Sequence, residues 1–168
     1  MGAHDQTSIL FVCLGNICRS PLAEGLFIHH ARERGVLDRF SIDSAGTGGW
    51  HVGNRADPRM RATAQSHGVE LVSRARKVDP GSDFPMLTGE GGFDWLIAMD
   101  RSNRDDLLDL GAPEERVRLL RSFDPALTGK PDHALEVPDP YYGGEDGFEQ
   151  VYHMVRAACL GMLDELAS

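Results

Sequence analysis

Cys13 and Arg19 are separated by the five residues Leu14-Gly15-Asn16-Ile17-Cys18 and followed by Ser20-Pro21. A loop that short, with Gly15 and Asn16 both tolerant of left-handed backbone, can curl until successive amide N–H groups converge on one point and bind a tetrahedral oxyanion. The helix expected behind it adds its N-terminal partial charge, and the guanidinium of Arg19 can fork two hydrogen bonds onto the same group. A thiol between a helix N-terminus and a guanidinium ionises more readily than a free one, so Cys13 reads as a nucleophile. A hydrogen bond from Ser20 would favour the charged sulfur and ease its later departure. The chemistry this implies is attack on phosphorus with in-line displacement, the equatorial oxygens held by the loop amides and Arg19, and a phosphocysteine intermediate. Cys18 has two readings: it packs at the helix start, or it is a resolving thiol that forms a reversible disulfide with an oxidised Cys13.

A phosphate monoester also needs a proton for its leaving oxygen. Asp139, in Val137-Pro138-Asp139-Pro140-Tyr141-Tyr142, has a proline on each side, and a carboxyl held over an anion pocket could donate a proton to the departing oxygen and then accept one from water. Tyr141, Tyr142 and Trp50 could wall a cleft for an aromatic ring. No His-Glu-x-x-His or Cys-x-x-Cys spacing occurs, and neither a Walker A nor a dinucleotide glycine pattern is present, so no metal or nucleotide cofactor is expected.

These residues must be positioned by regular elements. Ser8 to Val12 reads as a buried strand and gives way, after Ser20-Pro21, to a helix with Leu22, Ala23, Leu26, Phe27, His30 and Ala31 on one face and Gly35 as its C-cap. Phe40 to Ala45 is a second strand. Asp57 as N-cap with Pro58 starts another helix, on whose inner face Met60, Thr63, Ala64 and His67 recur. Asp79 to Gly92 reads as a loop with at most one helical turn, Phe93 to Met99 as a strand, Arg101 to Leu110 as a helix and Val117 to Leu120 as a last strand. About 25 irregular residues after Ser122 are long enough to suggest a functional loop. A closing helix carries Phe148, Val151, Tyr152, Val155, Cys159, Met162, Leu163 and Leu166 on one stripe. The alternation predicts an α/β fold: three layers, with a four-stranded parallel sheet flanked by helices on both faces, and the phosphate loop between the first strand and the first helix. The site should then lie outside the carboxyl ends of the strands.

Length bounds the rest. At 168 residues, 41% of them apolar and 26% charged, the chain has the size and composition of a single globular domain spanning 1–168. With 26 acidic against 17 basic residues, a net charge of −9 disfavours nucleic acid and anionic membranes as partners, so any anion site must be local. The longest apolar run, Ile9 to Leu14, is far short of the ~20 residues that span a bilayer. The first residues lack the features of a secretory signal, and three cysteines suit reduced thiols, so a cytoplasmic protein without membrane insertion is expected.

With these residues in hand, the chain resembles a low-molecular-weight protein tyrosine phosphatase from Ile9 to the last helix. Val12-Cys13-Leu14-Gly15-Asn16-Ile17-Cys18-Arg19-Ser20-Pro21 is similar to the family signature, and Asp139-Pro140-Tyr141-Tyr142-Gly143 to its general-acid loop. Asp43-Ser44-Ala45-Gly46-Thr47, Trp50-His51-Val52-Gly53, Asp57-Pro58-Arg59, His67-Gly68, Ser73-Arg74-Ala75-Arg76 and Met99-Asp100 stand between them in family order. The resemblance implies that Cys13 is the nucleophile, Arg19 the phosphate-binding arginine and Asp139 the acid/base. It also implies that Asn16, Ser44 and His67 support the loop, that Ser20 tunes the thiolate, and that Trp50, Tyr141 and Tyr142 shape the cleft. The implied substrate is a phosphotyrosine-containing protein, with inorganic phosphate as product and no cofactor. Pro85 to Gly92 looks like an insertion, and Thr128 to Glu136 is idiosyncratic. Two competing readings are an arsenate reductase of the same fold, which would need further cysteines, and a non-catalytic phosphate-binding module, which would have little use for Cys13, Ser20 and Asp139 together.

Overall fold

The computed structural model describes residues 6–141 and 145–168. Strand β1 (Thr7–Cys13) runs through the middle of a sheet with β2 (Phe40–Gly46) on one side and β3 (Trp95–Ala98) then β4 (Val117–Leu119) on the other; every pairing is parallel. Because β1 is covered on both faces, its residues are apolar without alternation, and Ile9, Leu10, Phe11 and Val12 are fully buried. Ile9, Phe11 and Cys13 point into one core and Leu10 and Val12 into a second.

The first core lies under α1 (Arg19–Glu33), α2 (Pro58–Ser66) and α5 (Glu145–Leu166). Leu22, Ala23, Leu26, Phe27 and Ala31 of α1 are buried as the periodicity predicts, and His30 is half-buried at the edge of that face. The helix stops at Gly35, whose φ of 71° lets the amides of Gly35 and Val36 turn back onto the carbonyls of Arg32 and Ala31. Phe148, Val151, Tyr152, Val155, Cys159, Met162 and Leu163 of α5 form the expected buried stripe. The second core is closed by α4 (Arg101–Asp109) through Leu107.

Boundaries shift where side chains take over ladder positions. β3 starts at Trp95 rather than Phe93, because Phe93 N–H donates to Asp83 O and the Asp94 carboxylate accepts from the amide and hydroxyl of Ser8. The Asp79 to Gly92 region holds one short helix, α3 (Pro80–Asp83), capped by Asp79. The long segment after β4 winds through single 3₁₀ turns and returns to the sheet, where Val137 N–H donates to Met99 O at 2.8 Å. That bond brings the Pro138-Asp139-Pro140 turn to the carboxyl edge, beside the loop that leaves β1 at Cys13. All three cysteines are free thiols. Among the described residues no helix is long and apolar enough to cross a membrane.

Candidate active site

The loop between β1 and α1 is held from behind. Asn16 adopts φ 58°, the left-handed conformation expected of it. Its Oδ1 accepts from Arg76 N–H at 3.0 Å, and its Nδ2 donates to Ser20 Oγ at 2.8 Å and to Ser44 Oγ at 3.0 Å. Each hydroxyl, having accepted from Asn16, turns its own hydrogen elsewhere. Ser44 donates to Glu24 Oε1 at 2.5 Å, and Ser20 Oγ lies 3.0 Å from Cys13 Sγ, aimed to donate when the sulfur is ionised. Gly15 departs from expectation, since it is not at positive φ. Its role is spatial: a Cβ there would stand 3.0 Å from the His51 ring.

The amides of Gly15, Asn16, Ile17, Cys18 and Arg19 donate to no acceptor among the described residues, which leaves a run of N–H groups at the N-terminus of α1. Cys13, Leu14, Gly15, Ile17, Cys18 and Arg19 line a cleft of about 500 Å³. Trp50, His51, Asp139 and Tyr141 complete it. Arg19 is almost fully buried, with Nη1 donating to Asp100 Oδ2 at 2.6 Å and to Val137 O at 3.0 Å, while Nη2 is 3.6 Å from Asp139 Oδ2. Burial opposes its charge, but Cys13, Asp100 and Asp139 outweigh that and hold the guanidinium above its ordinary value. Burial, reinforced by Asp57 and Cys13, pushes the Cys18 thiol up, so it stays protonated while packing at the start of α1.

Asp139 Oδ1 accepts from Tyr141 N–H at 2.9 Å, which turns the other oxygen toward Arg19. The Tyr141 side is braced by Arg59, whose Nη2 donates to Tyr141 O at 3.2 Å and whose guanidinium lies 5.4 Å from the Tyr141 ring centroid and 4.6 Å from that of Phe148. Arg59 is in turn paired with Asp57, the N-cap of α2, at 3.0 Å. Trp50 is 73% exposed at the rim, in position to cover a ligand's ring. Tyr142 lies outside the described residues.

One expectation is overturned. His67 does not support the loop: α2 ends at Ser66, and His67, its C-cap, instead stacks on Tyr152 with centroids 3.9 Å apart and pairs with Glu149 at 2.8 Å. Glu24 fills the place expected of it, accepting hydrogen bonds from Ser44 and Ser73; burial raises its carboxyl above the ordinary range. Asp100, His51 and Arg59 stand in the sequence within motifs that assign them no role. The signal for Asp100 was its position at the end of a strand and the head of a helix, since it caps α4 through Asn103 N–H at 2.7 Å while its second oxygen holds Arg19.

A buried thiol, a fixed guanidinium, a run of available amides and a carboxyl at the mouth can bind a tetrahedral dianion, attack its central atom and protonate what leaves. The family model described as low molecular weight phosphotyrosine protein phosphatase matches residues 8–168. The low molecular weight protein-tyrosine-phosphatase of Streptomyces coelicolor is 47% identical over 159 residues, which cover 92% of this chain and 90% of that one. The low molecular weight protein-tyrosine phosphatase A of Mycobacterium bovis is 42% identical over 160 residues, covering 95% and 91%. The crystal structure of a protein tyrosine phosphatase from Entamoeba histolytica, with Hepes in its active site, superposes with a TM-score of 0.83 at 36% identity over 96% of this chain and 97% of that one.

Proposed function

The chain belongs to the low molecular weight phosphotyrosine protein phosphatase family, and from that premise we propose that it hydrolyses phosphotyrosine in proteins through a phosphocysteine formed on Cys13. One observation carries the assignment of roles: thiol, guanidinium and carboxyl line a single cleft, with Ser20 Oγ 3.0 Å from the sulfur and Asp139 3.6 Å from Arg19.

The phosphoryl oxygens rest on the amides of residues 14–19 and on the Arg19 guanidinium, and the aryl ring lies between Trp50 and Tyr141. The resemblance assigns Tyr142 to substrate binding as well. The Cys13 thiolate attacks phosphorus opposite the tyrosyl oxygen; the P–O bond breaks and Asp139 gives its proton to the leaving phenoxide. Asp139, now a carboxylate, takes a proton from water as the water oxygen attacks phosphorus. The P–S bond then breaks, inorganic phosphate departs, and the Ser20 hydroxyl stabilises the returning thiolate. Asn16 and Ser44 keep the loop in shape. No metal or organic cofactor enters these steps. Residues 1–168 act as one catalytic domain on cytoplasmic phosphoproteins, and Cys18 is placed in sequence to trap an oxidised Cys13 as a reversible disulfide.

Hydrolysis of a chromogenic aryl phosphate, assayed without added metal beside arsenate reduction with a thiol donor, tests the proposal. Cys13→Ser should abolish hydrolysis and Asp139→Asn should slow it about 10²–10⁴-fold. Turnover surviving in Cys13→Ser overturns the mechanism, and arsenate reduction without ester cleavage overturns the function. The latter is disfavoured because Cys159, the one thiol outside the loop, is packed between α5 and α1, 3.6 Å from Ala23 O.

A further inference from the structure

Outside the cleft, His67 at the end of α2 and Glu149 and His153 on α5 bring three metal-ligating atoms within 4.8 Å of one another. We propose that this trio binds a zinc-class divalent cation and thereby ties α2 to α5. His67 Nε2 is 2.8 Å from Glu149 Oε2 and 3.1 Å from Oε1, and His153 Nε2 is 2.7 Å from the same Oε2. Both imidazoles therefore direct the same nitrogen at one carboxylate.

The geometry is fixed in advance. Glu149 and His153 are four residues apart on one helix face. The His67 ring lies flat on Tyr152, with 10° between the planes, and meets the His153 ring edge-on at 5.4 Å. The Glu149 carboxylate, with one oxygen shared between the two rings, supplies the oxygen donor. Two imidazole nitrogens and a carboxylate oxygen suit zinc, cobalt or copper, whereas magnesium and calcium require mostly oxygen.

Donors about 2.1 Å from a tetrahedral ion stand roughly 3.4 Å apart. From 2.8 and 2.7 Å to that separation the nitrogen–oxygen gaps must widen by roughly 0.6–0.7 Å, which the Glu149 and His153 side chains, 47% and 61% exposed, can accommodate. In the metal-free protein both Nε2–H groups donate to the Glu149 carboxylate; on binding, each Nε2 proton moves to Nδ1 or leaves to solvent, and the freed Nε2 lone pair goes to the ion. Water completes the shell on the solvent side. The other His/Glu group among the described residues, His29, His30 and Glu33, sits on α1 alone and so would tie no two elements together.

Titration of the full chain with Co²⁺ and Zn²⁺, followed by visible absorption and thermal melting, tests this. Cys13→Ser serves as a parallel background that removes the cleft thiol as a competing ligand. One Co²⁺ should bind in that background with N/O-type bands and no thiolate charge-transfer band. Zn²⁺ at about a hundredfold over its dissociation constant should raise Tm by about 5 °C, and Mg²⁺ should not. His153→Gln and Glu149→Gln should each lose the cobalt bands and the thermal shift while keeping wild-type circular dichroism and turnover. Cobalt binding undiminished in His153→Gln, binding confined to chains that retain Cys13, or no binding at all overturns the proposal.

Discussion

Asp100 serves two masters with its two oxygens, capping α4 with one and pairing with Arg19 through the other. Asparagine is as good a cap as aspartate but carries no charge, so the two roles separate. Asp100→Asn keeps the cap but takes the charged acceptor from a buried guanidinium, so it should lower Tm by about 5 °C or more and lower kcat/KM for an aryl phosphate about tenfold as the guanidinium loosens. Melting curves and steady-state kinetics on one preparation check both halves. Glu24 offers a pH test. Burial raises its carboxyl above the ordinary 4.5, so between that value and its folded value the native chain holds a proton that the unfolded chain has released. Its contribution to stability is therefore greatest below pH ~4.5 and is lost as pH rises through the folded value. Glu24→Gln, which can still accept from Ser44, should remove that decline and raise the urea midpoint at neutral pH relative to wild type. That Cys13, Arg19 and Asp139 share one cleft was legible because the pattern that joins them is local or motif-borne. Glu24 and Asp100 were not, since each meets its partner across 20 and 81 residues of chain respectively.

Helix ends were the most readable elements. Asp57-Pro58 and Gly35 announce a start and a stop through local backbone chemistry, and both occur as expected. Periodicity misled at His67, which continues the Met60 and Ala64 face by count but follows the last residue of α2, so the 3.6-residue rule no longer governs where it points. The Asp57 cap also reaches the cleft through Arg59 and Tyr141. Asp57→Ala should cost about 1–2 kcal/mol by urea denaturation and, by releasing Arg59 from the Tyr141 segment, raise KM for an aryl phosphate more than it lowers kcat.

At the scale of the molecule, the strand and helix alternation was enough to deduce a parallel sheet with two covered faces, because β1 carries no polar side to expose. What alternation could not supply was the path of the segment after β4, whose return to the sheet is fixed by contacts distant in sequence: Val137 N–H donates to Met99 O, Val137 O accepts from Arg19, and Arg101 and Arg121 hold Glu136. Phe27 sits at the centre of the larger core, edge-on to Phe40 at 5.0 Å and tilted against Phe11 at 6.0 Å. Phe27→Ala should destabilise by about 3–5 kcal/mol, read as a lower denaturant midpoint at unchanged slope. Finally, Arg19 grips Val137 O, two positions before Asp139, with the same guanidinium that faces the thiol. Under the proposed mechanism Cys13 and Asp139 thus hang from one pivot, and pulling that pivot disarms both partners at once. Rate losses from Arg19→Ala and Asp139→Asn should consequently overlap, with the double variant falling well short of the product of the singles, the signature of a shared fulcrum in a double-mutant cycle.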